Sequence, residues 1–217
     1  GEMGLLISEE LLKLKDVEIF YLNAGKSLKT GISNNNSCLL YIDITDTQSV
    51  LEKMEQIIKT HKIDYVIHAM AISDYKVEKV FSCENIDKVL AEHKISNSKE
   101  LLEHLSGLDN SSKISSNMDT MFIQLTKTPK IIDLIKEWDK DVKLISFKLL
   151  SNVNKETLID AALKQKERTG SEVVVGNSIN DNGMYEAYWV ENQEAEKLDN
   201  KKAVANKIFK YIKRDNG

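Results

Sequence analysis

The sequence predicts an α/β fold built on a mostly parallel sheet with helices covering both faces. Apolar segments of strand length alternate with segments of helical periodicity along most of the chain. The strand segments are apolar almost throughout, as strands buried on both faces are. One proline and nine glycines among 217 residues leave no flexible interdomain linker, so residues 1–217 read as a single domain. With 41% hydrophobic and 29% charged residues, the chain has material for a sizeable core and is not held open by its own charge.

Leu5, Leu6, Leu11, Leu12 and Leu14 recur at helical spacing, and Val17–Leu22 follows as a strand rich in β-branched and aromatic residues. Gly25, Gly31 and Asn34–Asn36 give the next stretch turn composition, and Cys38–Ile44 is a second strand. Thr45 or Asp46 is placed to cap a helix whose Val50, Leu51, Met54, Ile57 and Ile58 share one face, ahead of a strand over Tyr65–Ala69. Beyond Tyr75 the pattern loosens. A polar-rich stretch to Ser112 holds one short amphipathic helix at Lys99–Leu105, and Thr120–Leu125 reads as a strand. Residues 77–126 are therefore expected to form an excursion too poor in periodic apolar residues to build a core of its own. Thr128-Pro129 reads as a cap and first-turn proline for a helix buried through Ile131, Ile132, Leu134 and Ile135. A strand at Leu144–Leu149, a helix through Thr157–Arg168, strands at Val173–Val175 and Ala187–Val190, and a helix through Ala203–Ile212 complete the chain.

Thirty basic and 34 acidic residues give a net charge of −4, which is no nucleic-acid footprint, and no apolar run is long enough to span a membrane. Arginine occurs only at Arg168 and Arg214, so phosphate chemistry must lean on lysine, main-chain N–H groups and metal. Cys38 and Cys83 form no CxxC and have no nearby histidine pair, which points to a reducing cytoplasm. No signal peptide is visible, and the missing initiator Met suggests a start further upstream. His61, His68, His93 and His104 show no metal-ligand spacing, so no protein metal site is expected. A Walker loop, a complete GxGxxG, a GxSxG elbow and an HExxH are all missing.

In a parallel sheet, ligands collect beyond the carboxyl ends of the strands. Asp74, after the strand ending at Ala69, closes a turn or accepts bonds from a ribose or base. Asn177, after Val173–Val175, reads as an Asx turn ahead of a ligand contact. His68, inside a buried strand, reads as a satisfied core histidine ahead of a ligand. Lys113, taken alone, is one surface lysine among 28; the start of the helix after Thr126-Lys127-Thr128-Pro129 favours an anion through its free N–H groups.

Taken together and in order, Ile67–Tyr75, Lys113–Ser116, Lys127–Ile131, Ser146–Lys148 and Val175–Asn177 resemble phosphopantothenate-cysteine ligase, most nearly its monofunctional bacterial form. The resemblance implies a Rossmann-like three-layer fold, a cytoplasmic homodimer paired through the 77–126 excursion, and a two-step ligation in coenzyme A biosynthesis. The carboxylate of phosphopantothenate attacks the α-phosphate of CTP, with Mg²⁺ present, and cysteine's amine then displaces the nucleotide from the acyl intermediate. Carried over by position, the main chain around His68, Ala69, Met70 and Ala71 and the Asp74 carboxylate meet the nucleoside. Lys113 contacts the triphosphate and is the catalytic residue. Thr126, Lys127, Thr128 and Pro129 line the nucleotide pocket, with Phe147 and Asn177 nearby. Gln165 and Thr169 stand where the bifunctional form carries two lysines, with Lys164 and Lys166 as neighbours. The family's first strand, its glycine-threonine loop and its Asn-x-Ser-Ser-Gly segment fall upstream of Gly1. Two further readings stay open: a Rossmann-like nucleotide-binding regulator, and a nicotinamide- or flavin-dependent reductase. Gly1-x-x-Gly4 is compatible with either, although Leu22–Gly25 supplies neither the acid nor the arginine that a reductase needs.

Overall fold

Helices in the computed structural model start where side chains can satisfy their free N–H groups, and strands run through the apolar segments. The structure describes residues 1–25, 27–31, 38–108, 119–179, 183, 185–192 and 194–215. These fall into two units: Gly1–Ile72 with Lys130–Gly217, and Ser73–Pro129.

The larger unit opens with α1 (Glu2–Leu11), β1 (Glu18–Ala24) and β2 (Cys38–Ile44), the two strands pairing in parallel from Glu18 opposite Cys38 to Ala24 opposite Ile44. Then come α2 (Thr47–Thr60) and β3 (Tyr65–His68). Asp46, not Thr45, caps α2: its carboxylate accepts from the Ser49 N–H at 2.8 Å while the Ser49 hydroxyl receives the Asp46 N–H at 3.0 Å. Such a reciprocal box satisfies two end donors at once.

The smaller unit holds β4 (Tyr75–Ser82), α3 (Cys83–Glu92), α4 (Ser98–His104) and β5 (Met121–Lys127). β4 and β5 pair in an antiparallel ribbon with an irregularity between Val77 and Lys79. The sequence pattern missed β4 and α3, because that irregularity shifts the side-chain alternation by which a strand is recognised. It also gave this stretch no core, yet Phe81, Val89 and Leu105 are buried together with Ile86, Ile95, Leu101 and Leu102 against them. The other ribbon face stays open: Val77, Ile123 and Leu125 are 54%, 60% and 55% exposed.

The larger unit resumes with α5 (Ile131–Trp138), β6 (Lys143–Ser151), α6 (Lys155–Thr169), β7 (Val173–Ile179), β8 (Tyr185–Val190), β9 (Ala195–Leu198) and α7 (Lys201–Asp215). The five-stranded sheet has the order β3-β6-β7-β8-β9; β3, β6 and β7 are parallel, and β8 and β9 are added antiparallel. The five residues between β7 and β8 are too few for a parallel crossover, which needs about a dozen, so a hairpin results. One face packs on α1 and α7 through Ile7, Leu11, Ile145, Val173, Ile208 and their neighbours. The opposite face packs on α2, α5 and α6 through Met54, Ile135, Leu144, Leu158 and Ala162. Burying each large aliphatic side chain contributes about 1.5–3 kcal/mol.

Two local expectations fail. α5 is capped at Lys130 with no side-chain bond, so Thr128 is not its cap and Pro129 precedes its first turn. The Thr128 hydroxyl donates instead to the Ser73 carbonyl, and its N–H donates to Asp74 O at 3.0 Å. Asn177 forms no turn: β7 continues through it, with Leu149 on one side and Ala187 on the other. The helix expected through Thr157–Arg168 is α6; it is capped by Asn154 and closed by Gly170, whose φ of 65° suits glycine.

Candidate functional site

In the larger unit the relevant carboxyl ends belong to β3, β6 and β7, with β1 and β2 beside them. β3 alternates: Tyr65, Ile67 and Ala69 pack toward the α1–α7 side and Val66 and Met70 toward the α2–α5 side. His68 pairs with Ser146 at the strand's end, on the α2–α5 face by the same alternation. Its Nε2 is enclosed and has no partner among the described residues. It is therefore not the satisfied core histidine that its sequence setting suggested. Burial pushes its pKa below the usual 6.5, with a bond to its own main chain pulling weakly the other way. The ring is neutral near pH 7 and has one hydrogen bond to give or take, according to tautomer.

The chain then turns sharply, the Ala69 N–H donating to Ile67 O at 3.2 Å, as in a γ-turn. That amide is spent within the turn. Met70 packs against the α2–α5 core and Ala71 is exposed. Phe147 packs on the α1–α7 side, so the sheet separates its ring from His68. Asn177 shares the Phe147 face, and its Oδ1 is enclosed without a partner among the described residues. Tyr185 lies two residues from Ala187, Asn177's pairing partner on β8. Its hydroxyl is likewise enclosed and unpartnered, and burial pushes its pKa up to about 12. Sequence reasoning passed over Tyr185, because a tyrosine in an apolar strand looks like packing alone.

Asn23, fully buried at the end of β1, was missed as well: its Nδ2 donates to Asp43 Oδ1 at 3.1 Å, and its own Oδ1 is left over. Such leftover acceptors and donors at strand ends are what a ligand or an ordered water satisfies.

In the smaller unit the ribbon's base brings Asp74 beside Thr126, Lys127 and Thr128, through the Tyr75–Lys127 and Lys76–Thr126 pairs. The Asp74 side chain and Lys127 are exposed; Thr128 is buried. With its hydroxyl committed to Ser73, Thr128 has no donor to offer a ligand. Pro129 is exposed. Lys113 lies outside the described residues.

The two positions that hold lysines in the bifunctional form are structural here. Gln165 Nε2 donates to Ser146 Oγ at 3.0 Å and to Phe147 O at 3.1 Å. Thr169 Oγ1 donates to Gln165 O and meets Ser171 Oγ, which meets Ser146 Oγ. Gln165 and Thr169 are buried in this network. Lys166 bonds to the carbonyls of Ser171 and Glu172, and Lys164 pairs with Asp160 on the surface.

No group of three metal-ligating side chains occurs among the described residues, and none of their helices is long and apolar enough to cross a membrane. No family model matches the chain. It is 30% identical over 179 residues to the coenzyme A biosynthesis bifunctional protein CoaBC of Thermococcus kodakarensis, a match covering 82% of this chain and 35% of that protein. The chain thus spans about a third of that relative's length. Among solved structures, the DNA/pantothenate metabolism flavoprotein from Streptococcus pneumoniae superposes with a TM-score of 0.79 at 28% identity, over 99% of this chain and 88% of that one. The C-terminal domain of CoaBC shares the fold, with a TM-score of 0.62 and 19% identity over 98% and 81% of the two chains. These likenesses agree with the family resemblance carried by the five sequence blocks.

Proposed function

We propose that this chain carries the ligase chemistry of phosphopantothenate-cysteine ligase, with CTP as the activating nucleotide, in a homodimer. The observation that carries the proposal is the position of the ordered blocks in the fold: His68–Ala71 leave the carboxyl end of β3, Phe147 lies on β6 beside it, and Asn177 lies on β7, the next strand after β6. That is where open α/β sheets bind ligands. Similarity to a CoaBC protein over most of the chain supports it.

In the reaction, a carboxylate oxygen of phosphopantothenate bonds to the α-phosphorus and pyrophosphate leaves. Cysteine's nitrogen then bonds to the acyl carbon, loses a proton, and CMP departs. The main chain around His68–Met70 meets the nucleoside, and His68 Nε2 gives or takes one bond to it. The exposed Asp74 carboxylate takes donors from the ribose or base. Lys113 offsets charge that grows on the triphosphate as the pyrophosphate leaves. Mg²⁺, when bound with the nucleotide, would neutralise part of the charge on its phosphates. The open apolar face of the β4–β5 ribbon is the surface that a second copy covers.

The test is pyrophosphate release with CTP or ATP, with and without phosphopantothenate and Mg²⁺, followed by addition of cysteine. Release from CTP that requires phosphopantothenate, then CMP on adding cysteine, is expected. Equal release without phosphopantothenate, or oxidation of a reduced nicotinamide in its place, refutes the proposal.

A further inference from the structure

β6 is an internal strand of the five-stranded sheet, flanked by β3 and β7 and covered by helices on both faces, yet it carries a lysine between Phe147 and Leu149. Alternation sets Lys148 with Leu144, which packs toward α2 and α5, and with Leu150, which packs toward α6; Ile145 and Phe147 face the other way. Its pairing partner on β7 is Gly176, where a Cβ would meet Ala162 Cβ and Leu158 Cγ at 3.4 Å, so α6 presses close on this face at that level. On the other side β3 has already ended, since His68 stands opposite Ser146, two residues earlier. Lys148 therefore shares the face of His68, just past the carboxyl end of β3, where open α/β sheets take their ligands. The residue is half-buried, and taking an ammonium out of water costs free energy unless a partner offsets it. Six other described lysines are half-buried, and each has such a partner. Lys79 and Lys166 reach main-chain carbonyls, and Lys136, Lys143, Lys201 and Lys207 reach carboxylates. Lys148 is the one half-buried lysine among the described residues with neither.

We propose that Lys148 Nζ is the counter-charge for a phosphate group of a substrate, bound beyond the end of β3 on the α5–α6 side of the sheet. An ammonium has three donors and no acceptor, so it selects an anion. Phosphate, with close to two negative charges at neutral pH, offsets a half-buried cation better than a single carboxylate does. His68, on the same face and neutral near pH 7, adds one hydrogen bond without a competing charge. The identity of the anion rests on the ligase reading, under which both the nucleotide and phosphopantothenate bring phosphate to this end of the sheet; the unpaired cation itself does not.

The test is calorimetric titration of wild type, Lys148→Met and Lys148→Arg with CTP, phosphopantothenate and inorganic pyrophosphate, each with Mg²⁺; Lys202→Met, at an exposed lysine, is the control. Lys148→Met is expected to weaken binding of at least one of the three by about tenfold or more, while Lys148→Arg stays within about threefold of wild type and Lys202→Met within about twofold. A loss for CTP alone assigns the phosphate to the nucleotide, and a loss for phosphopantothenate alone assigns it to the acyl substrate. Affinities of Lys148→Met within about twofold of wild type for all three overturn the proposal. So does an equal loss in Lys148→Arg, which would make side-chain shape the cause. Without ligand, Lys148→Met should melt at the wild-type temperature or above it; a lower one means that the ammonium already has a partner and overturns the proposal as well. Lys148-dependent binding of pyrophosphate, with no binding of CTP or phosphopantothenate, would keep the phosphate site and refute the ligase reading.

Discussion

Replacing Gln165 separates two roles for one position. The family resemblance sets it where a nucleotide-contacting lysine stands, whereas the structure spends its amide on Ser146 Oγ and Phe147 O at 3.0 and 3.1 Å. Gln165→Ala strands the Phe147 carbonyl in the interior, while Ser146 keeps Ser171 as a partner. A net hydrogen bond is worth about 1 kcal/mol and an orphaned buried acceptor costs about 1–3, so the expected loss is about 2–4 kcal/mol. For a chain of this size that lowers Tm by roughly 4–16 °C. Gln165→Leu keeps the volume but not the bonds, so it leaves the Phe147 carbonyl equally unpaired and should lose about as much. Urea unfolding supplies the stabilities, and steady-state pyrophosphate release supplies KM for CTP, expected to stay within about twofold of wild type. Stability within about 0.5 kcal/mol of wild type, with KM raised about tenfold or more, would refute the structural role.

Three other outcomes are expected. Because burial holds the His68 pKa below 6.5, the stability gained by keeping it neutral is whole above that pH and drains as the pH falls; the urea midpoint of His68→Gln should therefore fall less than that of wild type between about pH 7.5 and 5, and parallel curves would count against the enclosed ring. Ile123→Lys on the open ribbon face should leave the fold intact and halve the sedimentation mass, and a wild-type mass near one 24.7 kDa chain at micromolar concentration would remove the dimer. Lys113→Ala should slow acyl-nucleotide formation by on the order of 10² to 10³ while the exposed Lys94→Ala control stays within about twofold; equal rates would return Lys113 to the solvated surface.

The helix capped by Asp46 was legible in the sequence, because cap and amphipathic face are written within a few residues of each other. Thr128-Pro129 carried an equally local signature and misled, since the Ser73 carbonyl, 55 positions away, takes the hydroxyl. Gly176-Asn177-Ser178 has the composition of a turn, yet ladders on both sides hold it extended. β4 escaped notice because its irregularity breaks the period by which strands are read.

The order of helices and strands outside β4, α3 and β9, the lysine-dominated charge and the five family blocks belong to the sequence by itself, for periodicity and motif order are properties of the chain as written. Which polar groups remain available for chemistry was decided by the tertiary structure. Thr128 and Gln165 are committed to partners far along the chain, whereas His68 Nε2, Asn177 Oδ1 and the Tyr185 hydroxyl are enclosed without one among the described residues. A side chain's hydrogen-bonding capacity comes from its own chemistry, but whether that capacity is already used depends on neighbours that only folding brings within 3 Å.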